Sequence, residues 1–102
     1  MAAGNTSVTT TASKVFDSAT DNGVAAVYKV APQDGDVAVG IPGMPGHGDG
    51  TTPVDIVRQG QVEYYSIDQL EGGCAKGAIT EVYIAALSGT VSVDHGCVAR
   101  RG

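Results

Sequence analysis

What most limits the folding of this chain is its punctuation. Gly, Pro, Asn and Asp recur so closely that only short extended segments stand between them, with no internal repeat, charge block or heptad. Such residues stop helices and end strands, so the rhythm predicts an all-β fold, a small sandwich or barrel of about 6–8 antiparallel strands. A chain of 102 residues suits a single domain, residues 1–102, whose core would hide about two-thirds of the unfolded surface. The apolar content of 42% is mostly Val and Ala, with no Trp and one Phe, Phe16. Small side chains remove little area from water, at about 25 cal/mol per Å², so a lone copy would be marginal and self-association is expected.

Residues 7–12, Ser-Val-Thr-Thr-Thr-Ala, are dense in β-branched side chains and predict a strand, and Val15 and Phe16 either continue it or begin an arm. After the turn signal Asp21-Asn22-Gly23, residues 24–30 are apolar on nearly both faces, as in a doubly covered strand. Beyond the turn at 33–36, Val37, Val39 and Ile41 alternate with Ala38 and Gly40, which predicts one buried face. Residues 42–53 are too rich in Gly and Pro for a ladder or helix and predict one long, flexible contact loop. Strands are expected at 54–57 and 61–67, around a turn at Gln59-Gly60, with Val62 and Tyr64 on one face. Ser66-Ile67-Asp68-Gln69 has the form of a capping box and predicts a short helical turn ended by Gly72-Gly73.

The segment 78–87 fits a helical and an extended period at once, and its neighbour decides between them. With Ser88-Gly89 as a two-residue turn, Ala86 meets Val91, Ile84 meets Val93 and Val82 meets His95 on one apolar face, while Ala85–Ser92 and Tyr83–Asp94 make a polar one. That agreement predicts a C-terminal β-hairpin, 79–87 against 90–98. It places His95 on the apolar side, either as a structural imidazole satisfied by one hydrogen bond or between subunits.

Eleven acidic against six basic residues give a net charge of −5, which opposes binding to nucleic acid or an anionic membrane. The pair Arg100-Arg101 reads as a solvated tail. The beginning lacks the basic and apolar regions of a signal peptide and no run suits a membrane span, so synthesis in the cytoplasm and a water-soluble product are expected. Cys74 and Cys97 allow one bridge; free thiols are expected in a reducing cytoplasm, with a bridge formed late, after release from a cell, as the alternative. His47 and Asp49 in Gly46-His47-Gly48-Asp49-Gly50 invite a metal or phosphate reading, but no Cys-x-x-Cys and no Gly-Lys-Ser/Thr ending accompanies them. No metal or other cofactor is expected. Asp94 neighbours His95 in a strand and points the other way, and no nucleophile elbow, paired-carboxylate motif or His-Glu-x-x-His occurs, so no catalytic residues and no enzyme are expected.

The run Thr9-Thr10-Thr11-Ala12-Ser13-Lys14-Val15-Phe16, then Gly60-Gln61-Val62-Glu63-Tyr64-Tyr65, and above all Gly77-Ala78-Ile79-Thr80-Glu81-Val82-Tyr83 with Ser88-Gly89-Thr90-Val91-Ser92-Val93 resemble small tailed-bacteriophage capsid decoration or cement proteins, the head accessory proteins. The resemblance covers most of the chain. It implies a β-sandwich or barrel on the capsid exterior of a virion, often a trimer, that binds the major capsid protein over seams between subunits. The loop 42–53 and the two cysteines depart from that pattern. An N-terminal arm, 1–11, with Asn5, Thr6, Ser7 and Val8, and the loop with Met44, His47 and Asp49, together with His95, are the expected capsid or subunit contacts. A head-fibre or tail adsorption module that meets the host surface is the alternative, and a free-standing binding domain such as an inhibitor is a third reading.

Overall fold

The computed structural model describes the chain apart from residues 1, 2, 21, 22, 45, 67, 68, 72, 73, 77, 78 and 102, and apart from the side chains of 3, 69–71, 74–76 and 99–101. The fold is all-β, as the punctuation predicts. Its strands are β1 (Ala3–Val8), β2 (Ser13–Asp17), β3 (Val24–Pro32), β4 (Val37–Gly40), β5 (Asp55–Val57), β6 (Glu63–Tyr65), β7 (Gln69–Glu71), β8 (Cys74–Lys76), β9 (Glu81–Ala86) and β10 (Val91–Arg101). Two antiparallel four-stranded sheets pack face to face: sheet A in the order β1-β10-β3-β6 and sheet B in the order β2-β9-β4-β5. The remaining pair, β7 and β8, forms its own two-stranded ladder.

Period-two burial builds the core between the sheets. From sheet A come Val8, Tyr28, Val30, Tyr65, Val91 and Val93; from sheet B come Phe16, Val37, Val39, Val57, Val82 and Ile84. Phe16 and Tyr28 meet with ring centroids 5.1 Å apart and planes tilted by 52°, so the two largest fully buried side chains join the two sheets. β4 is buried on both faces, not on one: Ala38 is 7% exposed and Gly40 closes against Gly50 and Pro53 on the outer side of sheet B.

The C-terminal hairpin is corrected by the pairing. Both segments are extended, but β9 pairs with β2 and β4, whereas β10 pairs with β1 and β3. The chain crosses from one sheet to the other at residues 87–90, with Gly89 at φ +64°. Val82, Ile84 and Ala86 do point at the same apolar space as Val91, Val93 and His95, all buried. They reach it from opposite sides of the sandwich. Alternation fixes which face is inside, and it is the same for strands side by side and for strands facing each other.

Other expectations change as well. Residues given as an arm form β1, paired to β10 from Ala3↔Gly96 to Val8↔Val91, and the strand predicted at 7–12 breaks after Val8 before β2 begins. β5 and β6 flank the turn at Gln59-Gly60 but lie at the edges of different sheets. Gln69, expected to close a capping box, begins strand β7, whose ladder with β8 holds Glu71↔Cys74; Ile67, Asp68, Gly72 and Gly73 lie outside the described residues. Arg100 and Arg101 continue β10 opposite Ala25 and Val24 and so are not a tail. Cys97 is half-buried against the core, and the Cys74 side chain lies outside the described residues, as therefore does the expectation about the thiols.

Candidate functional site

The outer face of sheet A carries the two most exposed of the large apolar side chains, Tyr64 and Val98. Gly96 pairs with Lys29, which in turn pairs with Tyr64, so one row runs across β10, β3 and β6. Gly96 lacks a side chain, and the row dips there into an open groove of about 470 Å³, lined also by Gly4, Asp94 and Val98. Tyr64 is 58% exposed and Val98 55%, and Val62 beside them is 51% exposed. Lys29 Nζ donates to Asp94 Oδ2 at 2.9 Å, diagonally across the strands, which cancels the charge of the groove wall. That hydrogen bond, with the carboxylate's charge behind it, holds the Lys29 ammonium above its ordinary range.

β1 borders this face as the free edge of sheet A. Its six residues, Ala-Gly-Asn-Thr-Ser-Val, carry no charge and no Pro. Other edges are blunted: β5 and β6 have three residues each, and β2 carries a bulge and Lys14, which pairs with Asp17 at 3.2 Å and Glu81 at 3.5 Å. β1 thus offers a row of backbone donors and acceptors of the kind that pairs with another chain.

The eight expected contact residues divide between surface and interior. Asn5 and Ser7 are exposed on β1, and Asp49 is exposed in the loop. Asp49 Oδ1 accepts the Thr52 and Thr51 amides, at 3.2 and 3.0 Å, which keep its carboxyl below the usual range. Thr6 is half-buried and Met44 is half-buried against the core. Val8, His47 and His95 are buried within the chain.

His95 closes a polar chain inside sheet A. Its Nε2 shares a 2.8 Å hydrogen bond with Thr6 Oγ1 and its Nδ1 a 2.7 Å bond with the Tyr28 hydroxyl, so β1, β10 and β3 are tied through one imidazole. His47 does the same for the glycine-rich segment. The Ile41 amide donates to its Nδ1 at 3.1 Å, and its ring stands edge-on to Tyr65 at 5.8 Å. Tyr65 donates its hydroxyl to Asp55; burial first, then that bond, pushes the phenol well above its ordinary value. Successive turns, Met44 to Ile41, His47 to Met44 and Gly50 to His47, wind the segment around this ring, which makes it a packed loop rather than the open flexible one expected.

Among the described residues no three His, Cys, Asp or Glu side chains gather to hold a metal, and none forms a helix long and apolar enough to cross a membrane. Comparison with protein-family models, curated proteins and solved structures found no match for this chain. Sequence reasoning missed Lys29, Asp94, Gly96 and Val98. The shared face of Val62 and Tyr64 was the available signal, since alternate apolar residues beside a buried Tyr65 need two covered faces.

Proposed function

We propose that this chain is a structural virion protein that decorates or cements a phage capsid by binding the major capsid protein over seams between its subunits. The uncharged edge β1, next to a charge-cancelled groove with Tyr64 and Val98 uncovered, is the observation that supports this reading best. An extended segment of a capsid subunit adds to β1 as a further strand, and Tyr64 and Val98 bury against the same partner. Single contacts of this size are weak, and association of the chain with its own copies, a trimer being favoured, converts them into avidity. The sandwich suits this role because its rigid sheets hold edge and groove in fixed register.

Co-sedimentation with empty shells of the phage's major capsid protein tests the proposal, with mass measurement giving the copy number. The wild-type chain is expected to sediment with shells, and Tyr64→Ala with Val98→Ser to weaken this by about tenfold or more, since anchors at an interface commonly cost over 1 kcal/mol each. Unchanged melting of the double variant would separate lost contact from lost fold. Binding to host cells but not to shells would transfer the reading to an adsorption module, and binding to neither would end it.

A further inference from the structure

The two histidines are both buried, His95 to 4% exposure and His47 to 6%, yet their partners differ in kind. Thr6 and Tyr28 offer hydroxyls, which donate or accept by rotating, so either tautomer of His95, or its cation, keeps both bonds. The partner of His47 is the Ile41 backbone N–H, a donor only. His47 Nδ1 must therefore be without a proton, and the ring neutral with its hydrogen on Nε2. A second proton has nowhere to go but Nδ1, where it would face the Ile41 N–H donor to donor.

We propose that His47 is a proton-operated latch on the loop between β4 and β5, residues 41–54. With the ring neutral, the bond from Ile41 and the turns from Met44 to Gly50 close the loop onto Tyr65. Uptake of a proton at Nδ1 breaks the bond from Ile41, removes the ring from its place and frees Met44 from the core. The loop is closely fitted while shut: a side-chain carbon on Gly50 would lie 2.2 Å from Pro42 Cα, and one on Gly40 would lie 2.5 Å from the Gly50 carbonyl oxygen. Such a fit has two states rather than a gradual one. From β6 the Tyr65 ring faces His47, with Glu63 exposed on the same strand; from β5 comes Asp55, occupied by the Tyr65 hydroxyl. Within the loop Asp49 is engaged by its own two amides. Among the described residues no carboxylate hydrogen-bonds to the His47 ring. The device holds whatever the chain binds.

Nitrogen-15 NMR of the wild-type protein, from about pH 7.5 to about pH 5, tests the latch. Near neutrality His47 Nδ1 should give the resonance of an unprotonated acceptor. As that signal converts to imidazolium, the exchange protection of the Ile41 amide should fall by about tenfold or more, while that of Val39 in β4 holds. His47→Gln keeps an acceptor and cannot take the proton, so its Ile41 amide should stay protected throughout. If the wild-type Ile41 amide keeps its protection over this range, whether or not the ring titrates, the latch is refuted; so it is if His47→Gln loses protection in parallel. Should His47→Gln not fold, the wild-type titration alone decides.

Discussion

Tyr28 does two jobs with one side chain: its ring completes the central pair with Phe16, and its hydroxyl completes the chain to His95. Tyr28→Phe keeps the first and removes the second, leaving His95 Nδ1 without that hydroxyl in a buried site. Urea unfolding should show a loss of roughly 1–3 kcal/mol, the cost of orphaning a buried polar group. Gly50 and Gly89 make a second comparison, since both have positive φ, +79° and +64°. At Gly89 an added carbon meets open space, whereas at Gly50 it meets Pro42. Gly89→Ala should therefore cost only the backbone strain, about 1–2 kcal/mol, and Gly50→Ala clearly more by the same measurement. At this scale the sequence was a partial guide. It marked His47 and His95 as notable and placed His95 on an apolar face, but a histidine's letter does not show whether its nitrogens look inward or outward.

Among the elements, the turns carry charges that lock sheets to one another. Asp36, just before β4, accepts the Gln59 amide at 2.8 Å and pairs with Arg58 at 3.1 Å, which anchors the β5–β6 connection. The amide bond first, and Arg58 second, lower its carboxyl below the ordinary 3.8. A depressed carboxylate contributes stability that is fully present above the unfolded value and disappears as pH falls through the folded one. Asp36→Asn should therefore be less stable than wild type at neutral pH, with the gap closing only below about pH 4, in urea titrations across pH; a gap that closes near the imidazole range would point elsewhere. Strand positions were legible because turn residues and β-branched runs are local signals: β3 and β4 stand where Asp21-Asn22-Gly23 and residues 33–36 place them. Partners were not. Val82, Ile84, Val91 and Val93 announce an inner face, yet nothing local tells a neighbour beside from a neighbour opposite, and the Ser88-Gly89 turn serves both. The outer groove was illegible for a related reason: Lys29 lies far along the chain from Asp94 and Gly96 and meets them only through the register of β3 and β10.

For the molecule as a whole, most strand-to-strand connections along the chain pass between the sheets, so neighbours in space are distant in sequence. Such a topology closes long loops before its contacts reward them, and refolding is expected on the millisecond-to-second scale by stopped-flow, slower than a helical chain of this length. The position of β10 sharpens the point. The last strand lies between β1 and β3, so it joins the first strand of the chain to the rest of its sheet. β1 thus finds its ladder partner only in β10, far along the chain from it. Until β10 is in place the inner face of β3 lacks the neighbour that carries Val91 and Val93, and apolar surface left open in this way is what makes partly folded chains adhesive.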